Sequence, residues 1–98
     1  MAVNPFDSFL YGLSQDITAA EFNEFRFLCR RVVDSKADLS ECKNTLDLLE
    51  LLENRGVIAE DNVAFLLDVF GPNHLRLEAA RLRIQNYGMH YVLSKPEP

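Results

Sequence analysis

Tryptophan is absent from this chain, and cysteine, histidine, glycine and proline are sparse, with two, two, four and four copies. Two cysteines cannot build the dense framework of a small disulfide-stapled domain. Cys29 and Cys42 lie thirteen residues apart, and His74 and His90 each stand alone, a spacing that fits no structural metal site. No apolar run exceeds a few residues, so no segment is long enough to cross a bilayer as a helix. The N-terminus has neither the charged nor the apolar region of a signal peptide, and the expectation is a cytoplasmic chain with free, buried thiols. Gly-rich phosphate loops, HExxH, CxxC and GxSxG are missing, which removes the usual signals for nucleotide, zinc and acyl-transfer chemistry. The expectation is therefore no enzyme, no cofactor and no metal. Cys29 makes a poor candidate nucleophile, because a reactive thiolate needs exposure and a cationic setting and this residue falls on an apolar stripe. Basic charge is also short: 10 Lys and Arg against 15 Asp and Glu leave a net charge of -5, the wrong sign for a general nucleic-acid binder.

What is present is an ordinary apolar content, 48% hydrophobic and 26% charged over 98 residues, enough for one folded domain with one core. No useful strand pattern and no internal repeat occur. Asn4 with Pro5 at the first helical position starts a helix carrying Phe6, Phe9, Leu10 and Leu13 at i, i+3, i+4 and i+7, a buried stripe. Tyr11 sits about 140° from Phe6 on this wheel, at 100° per residue, and faces outward or lies at the rim. Gly12 implies close packing or an early end near Ser14.

The clearest helix runs from Thr18 to Val33. Thr18 and Glu21 form a capping box, and Phe22, Phe25, Leu28, Cys29, Val32 and Val33 share an arc of about 140°. Phe27 falls about 140° from Phe22 on the same wheel, among Asn23, Glu24, Arg30 and Arg31. It should be exposed in a monomer while Leu28 is largely buried. The polar stretch after Val33 reads as loop with one helical turn around Leu39 to Lys43. Thr45 to Arg55 is leucine-dense, with Leu46, Leu48, Leu49, Leu51 and Leu52 covering most of the wheel, so that helix should be central; Gly56 suits its left-handed C-cap. A further helix with an acidic start carries Val63, Leu66, Leu67 and Phe70 and stops at Gly71-Pro72. A last helix opens at Asn73 or His74, with Leu75, Ala79 and Leu82 on one face and Arg76, Arg81 and Arg83 bringing positive charge. Gly88 should end it, leaving residues 88–98 as a tail or linker after a domain of residues 1–87. Short connections favour an antiparallel all-α bundle.

The segment AAEFNEFRFLCRRVV, the polar excursion after it, the leucine-rich helix and the Arg-rich last helix resemble a death effector domain over Pro5 to Tyr87. That resemblance implies a six-helix antiparallel Greek-key bundle and homotypic association with other death effector domains, in an adaptor that recruits initiator caspases during apoptosis. The first such domain of an initiator caspase, or of its inactive regulator, is the alternative. It also implies a surface charge triad. Glu21 matches the acidic position on the second helix, and Arg76-Leu77-Glu78-Ala79 matches the Arg-x-Asp-Leu position on the sixth, with glutamate for aspartate and alanine for leucine. Phe27-Leu28 matches the family's exposed Phe-Leu pair, a knob for a pocket on a partner domain, and Tyr11 falls at the flanking first-helix position. No membrane insertion is implied. A different class, a helical nucleic-acid-binding module using Arg76, Arg81 and Arg83, is disfavoured by the net acidity.

Overall fold

The structure, a computed structural model, describes residues 2–72 and 74–92. Asn73, one of the two expected openings of the last helix, and residues 93–98 of the expected tail lie outside the described residues. The architecture is all-α. Seven α-helical segments succeed one another: α1 (Pro5–Gln15), α2 (Ala19–Leu28), α3 (Arg30–Val33), α4 (Lys36–Glu41), α5 (Thr45–Asn54), α6 (Ala64–Val69) and α7 (Glu78–Tyr87), with a π-helical turn at Gly88–Val92. That is one segment more than the six expected.

The starts of α1, α2 and α4 have a visible cause. The Asn4 side chain accepts from the Phe6 N–H at 2.8 Å and Pro5 fills the first turn of α1. All four stripe residues, Phe6, Phe9, Leu10 and Leu13, are buried as expected. The Thr18–Glu21 box is complete: the Glu21 N–H donates to Thr18 Oγ1 at 3.2 Å and the Thr18 N–H to Glu21 Oε1 at 2.8 Å. Ser35 caps α4, accepting from the Asp38 N–H at 3.2 Å. α4 is thus a true short helix where the sequence suggested loop with a single turn. Arg55, at the end of α5, ties it down by donating to the Val33 carbonyl at 3.1 Å and pairing with Asp38. Gly56 comes next with φ of 76°, the left-handed conformation that glycine adopts without strain.

One core is shared by all the helices. Phe6, Leu13, Phe25, Leu48, Leu49, Leu52, Leu66, Phe70 and Ile84 are each at most 2% exposed. Phe25 meets Phe70 edge-on at 5.1 Å, joining α2 to the end of α6. At the far end, Tyr87 stacks between Phe9 at 4.4 Å and Tyr91 at 5.1 Å. Its hydroxyl donates to the Glu60 carbonyl at 2.6 Å. Burial first, then the neighbouring Glu60, Asp61 and Tyr91, hold this phenol above its ordinary pKa and keep the hydroxyl a donor. The stack carries helical structure past Gly88, which is right-handed at φ −57° and does not end it as expected.

Four stripes differ in phase from the sequence expectation. The expected helix from Thr18 to Val33 breaks at Cys29, whose N–H is shared between the Phe25 and Arg26 carbonyls at 3.2 Å each. The tightened turn rotates α3 relative to α2, so Val33 stays buried while Val32 is 41% exposed. In α5, Leu48, Leu49 and Leu52 are fully buried but Leu46 is exposed and Leu51 half-buried, making the helix one-sided rather than surrounded. α7 starts four residues later than His74. Leu75 is buried in extended chain with its N–H on the Val69 carbonyl at 2.9 Å, which prevents helix there. The α7 core face is Ala80, Ile84 and Tyr87, with Ala79 and Leu82 exposed. Likewise Glu60 and Asp61 form a turn, closed by the Ala59–Asn62 bridge, instead of the first turn of α6. In α6, Val69 is buried and Leu67 is exposed.

Candidate protein-binding surface around Phe27

α2 is held at both ends before it presents anything to solvent. The capping box fixes its first turn, and Phe22 and Phe25 anchor its inner face in the core. Phe27, two residues beyond Phe25, therefore points away from the bundle and is 58% exposed. The Arg30 guanidinium lies over its ring at 4.4 Å, a contact that attracts charge to the ring face and restrains the side chain. Leu28 is half-buried and packs on the rim of the core. It is less buried than expected, since the inner face at this end of α2 is taken by Phe25 and Cys29, both fully buried.

Phe27 forms the ridge between two grooves. On one side Asn23, Glu24 and Leu28 face His74 and Leu75 across about 390 Å³. His74 is set there by its Nδ1, which donates to the Asp68 carbonyl at 3.0 Å. On the other side Arg26, Arg30, Lys36 and Leu39 line about 530 Å³ with no carboxylate among the lining residues. Sequence reading missed His74, Arg26, Arg30 and Lys36 as parts of this surface. The first comes from a loop brought in by the fold; Arg30 is visible in sequence only as a polar neighbour of Phe27 on the wheel, Lys36 only as loop, and Arg26 is not singled out at all.

The remaining residues singled out from sequence are not gathered here. Tyr11 is 59% exposed on α1, outward as expected, but lines neither groove. Glu21 is half-buried and engaged in its cap. Arg76 lies in the irregular segment before α7, not on a helix, and donates to the Pro72 carbonyl at 3.4 Å. Glu78 opens α7 and pairs with Arg81 at 2.9 Å. Among the described residues no ion pair or hydrogen bond joins Arg76 to Glu21 or Glu78. Arg83 pairs with Asp16 at 2.7 Å and lies over Gly12, the close packing that the glycine implied. With Arg81 and Arg83 each committed to a carboxylate, the three arginines do not form a free stripe for phosphates.

Neither cysteine is placed as a nucleophile. Burial, and secondarily Cys42, push the Cys29 thiol up to about 12, opposite to what a nucleophile needs. Cys42 is likewise buried, reduced and raised. Among the described residues no group of three or more potential metal ligands clusters, and no helix is long and apolar enough to cross a membrane.

A capped helix with a buried aromatic face thus turns one aromatic outward between two grooves. Neither a curated protein nor a solved structure matches the chain significantly. The death effector domain family model does match, over residues 6–75, a span that contains Tyr11, Glu21, Phe27 and Leu28 and ends just before Arg76. The match covers well over half of the chain, and the protein belongs to the death effector domain family.

Proposed function

We propose that this chain is the homotypic interaction domain of a cytoplasmic adaptor that recruits initiator caspases to death-receptor complexes, resembling the N-terminal domain of the Fas-associated death-domain adaptor. Death effector domains associate with one another in apoptosis signalling, and the surface around Phe27 is where this one engages its partner. Counting α2 and α3 as one helix bent at Cys29 gives six, the number in the family's Greek-key bundle, which supports reading the same topology here.

The observation that carries the proposal is Phe27 itself, 58% exposed on a helix fixed by its cap and two buried aromatics. Burying such a ring on a partner contributes about 1.5 to 3 kcal/mol, and large aromatics are favoured anchors. Leu28 widens the apolar contact, and Tyr11, Glu21, Arg76 and Glu78 supply flanking area and charges that orient the partner. Phe27→Asp should leave the helical circular dichroism spectrum unchanged and abolish co-sedimentation with the tandem death effector domains of an initiator caspase. Unchanged co-sedimentation would remove Phe27 from the interface and the proposal with it.

A further inference from the structure

The geometry points to the groove between α2–α3 and α4 as a binding site for a small molecule or lipid headgroup that carries two or more phosphomonoester groups. The site lies within one chain, so it stands or falls independently of homotypic association. Its walls follow from helical spacing. Asn23, Arg26, Phe27 and Arg30 recur at steps of three or four residues along α2 and across the turn at Cys29, and Lys36, Leu39 and Ser40 do so on α4. Together they border about 530 Å³, within the range of about 300 to 1,000 Å³ usual for small-ligand sites.

The polar groups on these walls are arranged to donate. Half-buried Arg26 lies over the Phe22 ring at 5.3 Å and donates to Asn23 Oδ1 at 3.2 Å, which occupies the Asn23 acceptor and leaves its NH2 group as donor. Ser40 Oγ donates to the Lys36 carbonyl at 2.8 Å, and because both residues are exposed it can exchange that bond for a ligand oxygen. No carboxylate lines the groove. Among the described residues Arg26, Arg30 and Lys36 have no ion pair, whereas Arg55, Arg81 and Arg83 each pair with an acid. In a chain of net charge -5, three unmatched cations in one concavity reverse the local sign.

Charge and shape select the ligand. Two phosphomonoesters, at about −1.5 to −2 each, match three cations where one carboxylate would not. The two guanidiniums offer planar forks for bidentate phosphate pairing, and Lys36 adds a point charge. Phe27, 58% exposed, gives a ring face to the carbon skeleton between the phosphates. A nucleic-acid strand is disfavoured, since its phosphates continue past the groove onto an acidic surface.

Two probes test the site: inositol hexakisphosphate by titration calorimetry, and phosphatidylcholine vesicles containing a phosphatidylinositol bisphosphate by co-flotation. Binding in the first arm alone assigns a soluble ligand, in the second alone a headgroup, and in both the shared phosphate chemistry. Binding in neither would overturn the site. Arg30→Glu with Lys36→Glu, both exposed, should leave the helical circular dichroism spectrum unchanged and weaken the binding at least about ten-fold. Arg31→Glu with Lys43→Glu makes the same charge change at exposed positions outside the groove and should leave the affinity within about two-fold. Equal losses in the two variants would reduce the effect to general attraction and overturn the site. In amide NMR spectra of the wild type, the Asn23 side-chain NH2 and the Ser40 backbone N–H should shift on titration; shifts confined to other residues would place the ligand elsewhere. Tighter binding of a single-stranded oligonucleotide than of inositol hexakisphosphate would also overturn the assignment.

Discussion

Tyr87 gives the sharpest test of how far the core extends, because it sits twelve residues past the end of the family match and yet is only 6% exposed. Its ring stacks on Phe9 at 4.4 Å with the planes 11° apart, approaches Phe6 at 5.7 Å, and is covered by Tyr91 at 5.1 Å. Removing such a ring from a packed site costs about 3 to 5 kcal/mol. A domain of this size has only about 5 to 15 kcal/mol in total, so Tyr87→Ala should lower the melting temperature by about 12 to 40 °C, at about 4 to 8 °C per kcal/mol. Tyr87→Phe keeps the stack and deletes only the bond to the Glu60 carbonyl; Glu60 is exposed and its carbonyl can take water instead, so the cost should be about 1 kcal/mol. Thermal circular dichroism with urea titration would measure both. An Ala variant melting within a few degrees of wild type would refute the assignment of Tyr87 to the core. A chain ending at Leu75 should show no cooperative transition, since Ala80, Ile84 and Tyr87 would all be missing from the interior.

Local geometry sets three further outcomes. Cys29 is neutral in the fold up to about pH 12, whereas the unfolded thiol ionises near 9.0. Its contribution is therefore complete below pH 9 and declines by about 1.4 kcal/mol per pH unit above it; Cys29→Ala should flatten the stability–pH slope between pH 9 and 10.5 in urea titrations, and an unaltered slope would contradict a buried neutral thiol. Thr18→Ala removes one half of the capping box and should cost about 1 kcal/mol in the same assay. A Cβ on Gly12 would lie 2.4 Å from the Arg83 guanidinium, which is held by Asp16. Gly12→Ala should therefore gain little in the wild type but stabilise an Arg83→Ala background by up to about 1 kcal/mol, the helix-propensity difference; a double-mutant cycle with no coupling would show that Arg83 does not crowd that position.

Much of this fold is legible because short-range chemistry decides it. Asn4-Pro5, the Thr18–Glu21 box and Gly56 after Arg55 each act within a few residues of themselves, and each does what its spacing implies. Phe27 is legible for the same reason: α2 begins at a marked residue, so its phase is known. Phase is what fails elsewhere. A single wheel carried through Cys29 into Val32 omits the extra rotation of the turn there. In the last helix the leucines at 75 and 82 outweigh Ala80, Ile84 and Tyr87 by eye, although these three fit i, i+4, i+7 once Glu78 is taken as the start. What moves that start is the Leu75 N–H on the Val69 carbonyl, a contact between two segments that no wheel contains. α4 is hard to see because its clamps come from Arg55, at sequence separations of 17 and 22, although Ser35 and Asp38 carry a cap-and-acid spacing at its start. The second wall of the Phe27 groove is invisible for a similar reason, since His74 and Leu75 reach it only through the path of the chain after α6.

The division of α2 into an inner and an outer stripe makes stability and recognition separable. A ten-residue helix is too short to persist alone in water, so its order comes from Phe22, Phe25 and the capping box. Phe27 contributes little to that order, being more than half exposed, yet it inherits a fixed backbone, and Arg30 over its ring limits the side chain as well. A preorganised anchor loses less entropy on binding than a mobile one. Thr18→Ala and Phe27→Asp should therefore dissociate from each other. The first lowers the melting temperature and weakens assembly only through the population of folded helix; the second abolishes assembly at unchanged melting temperature. If Phe27→Asp destabilised the monomer by as much as Thr18→Ala, the ring would belong to the fold and not to a partner.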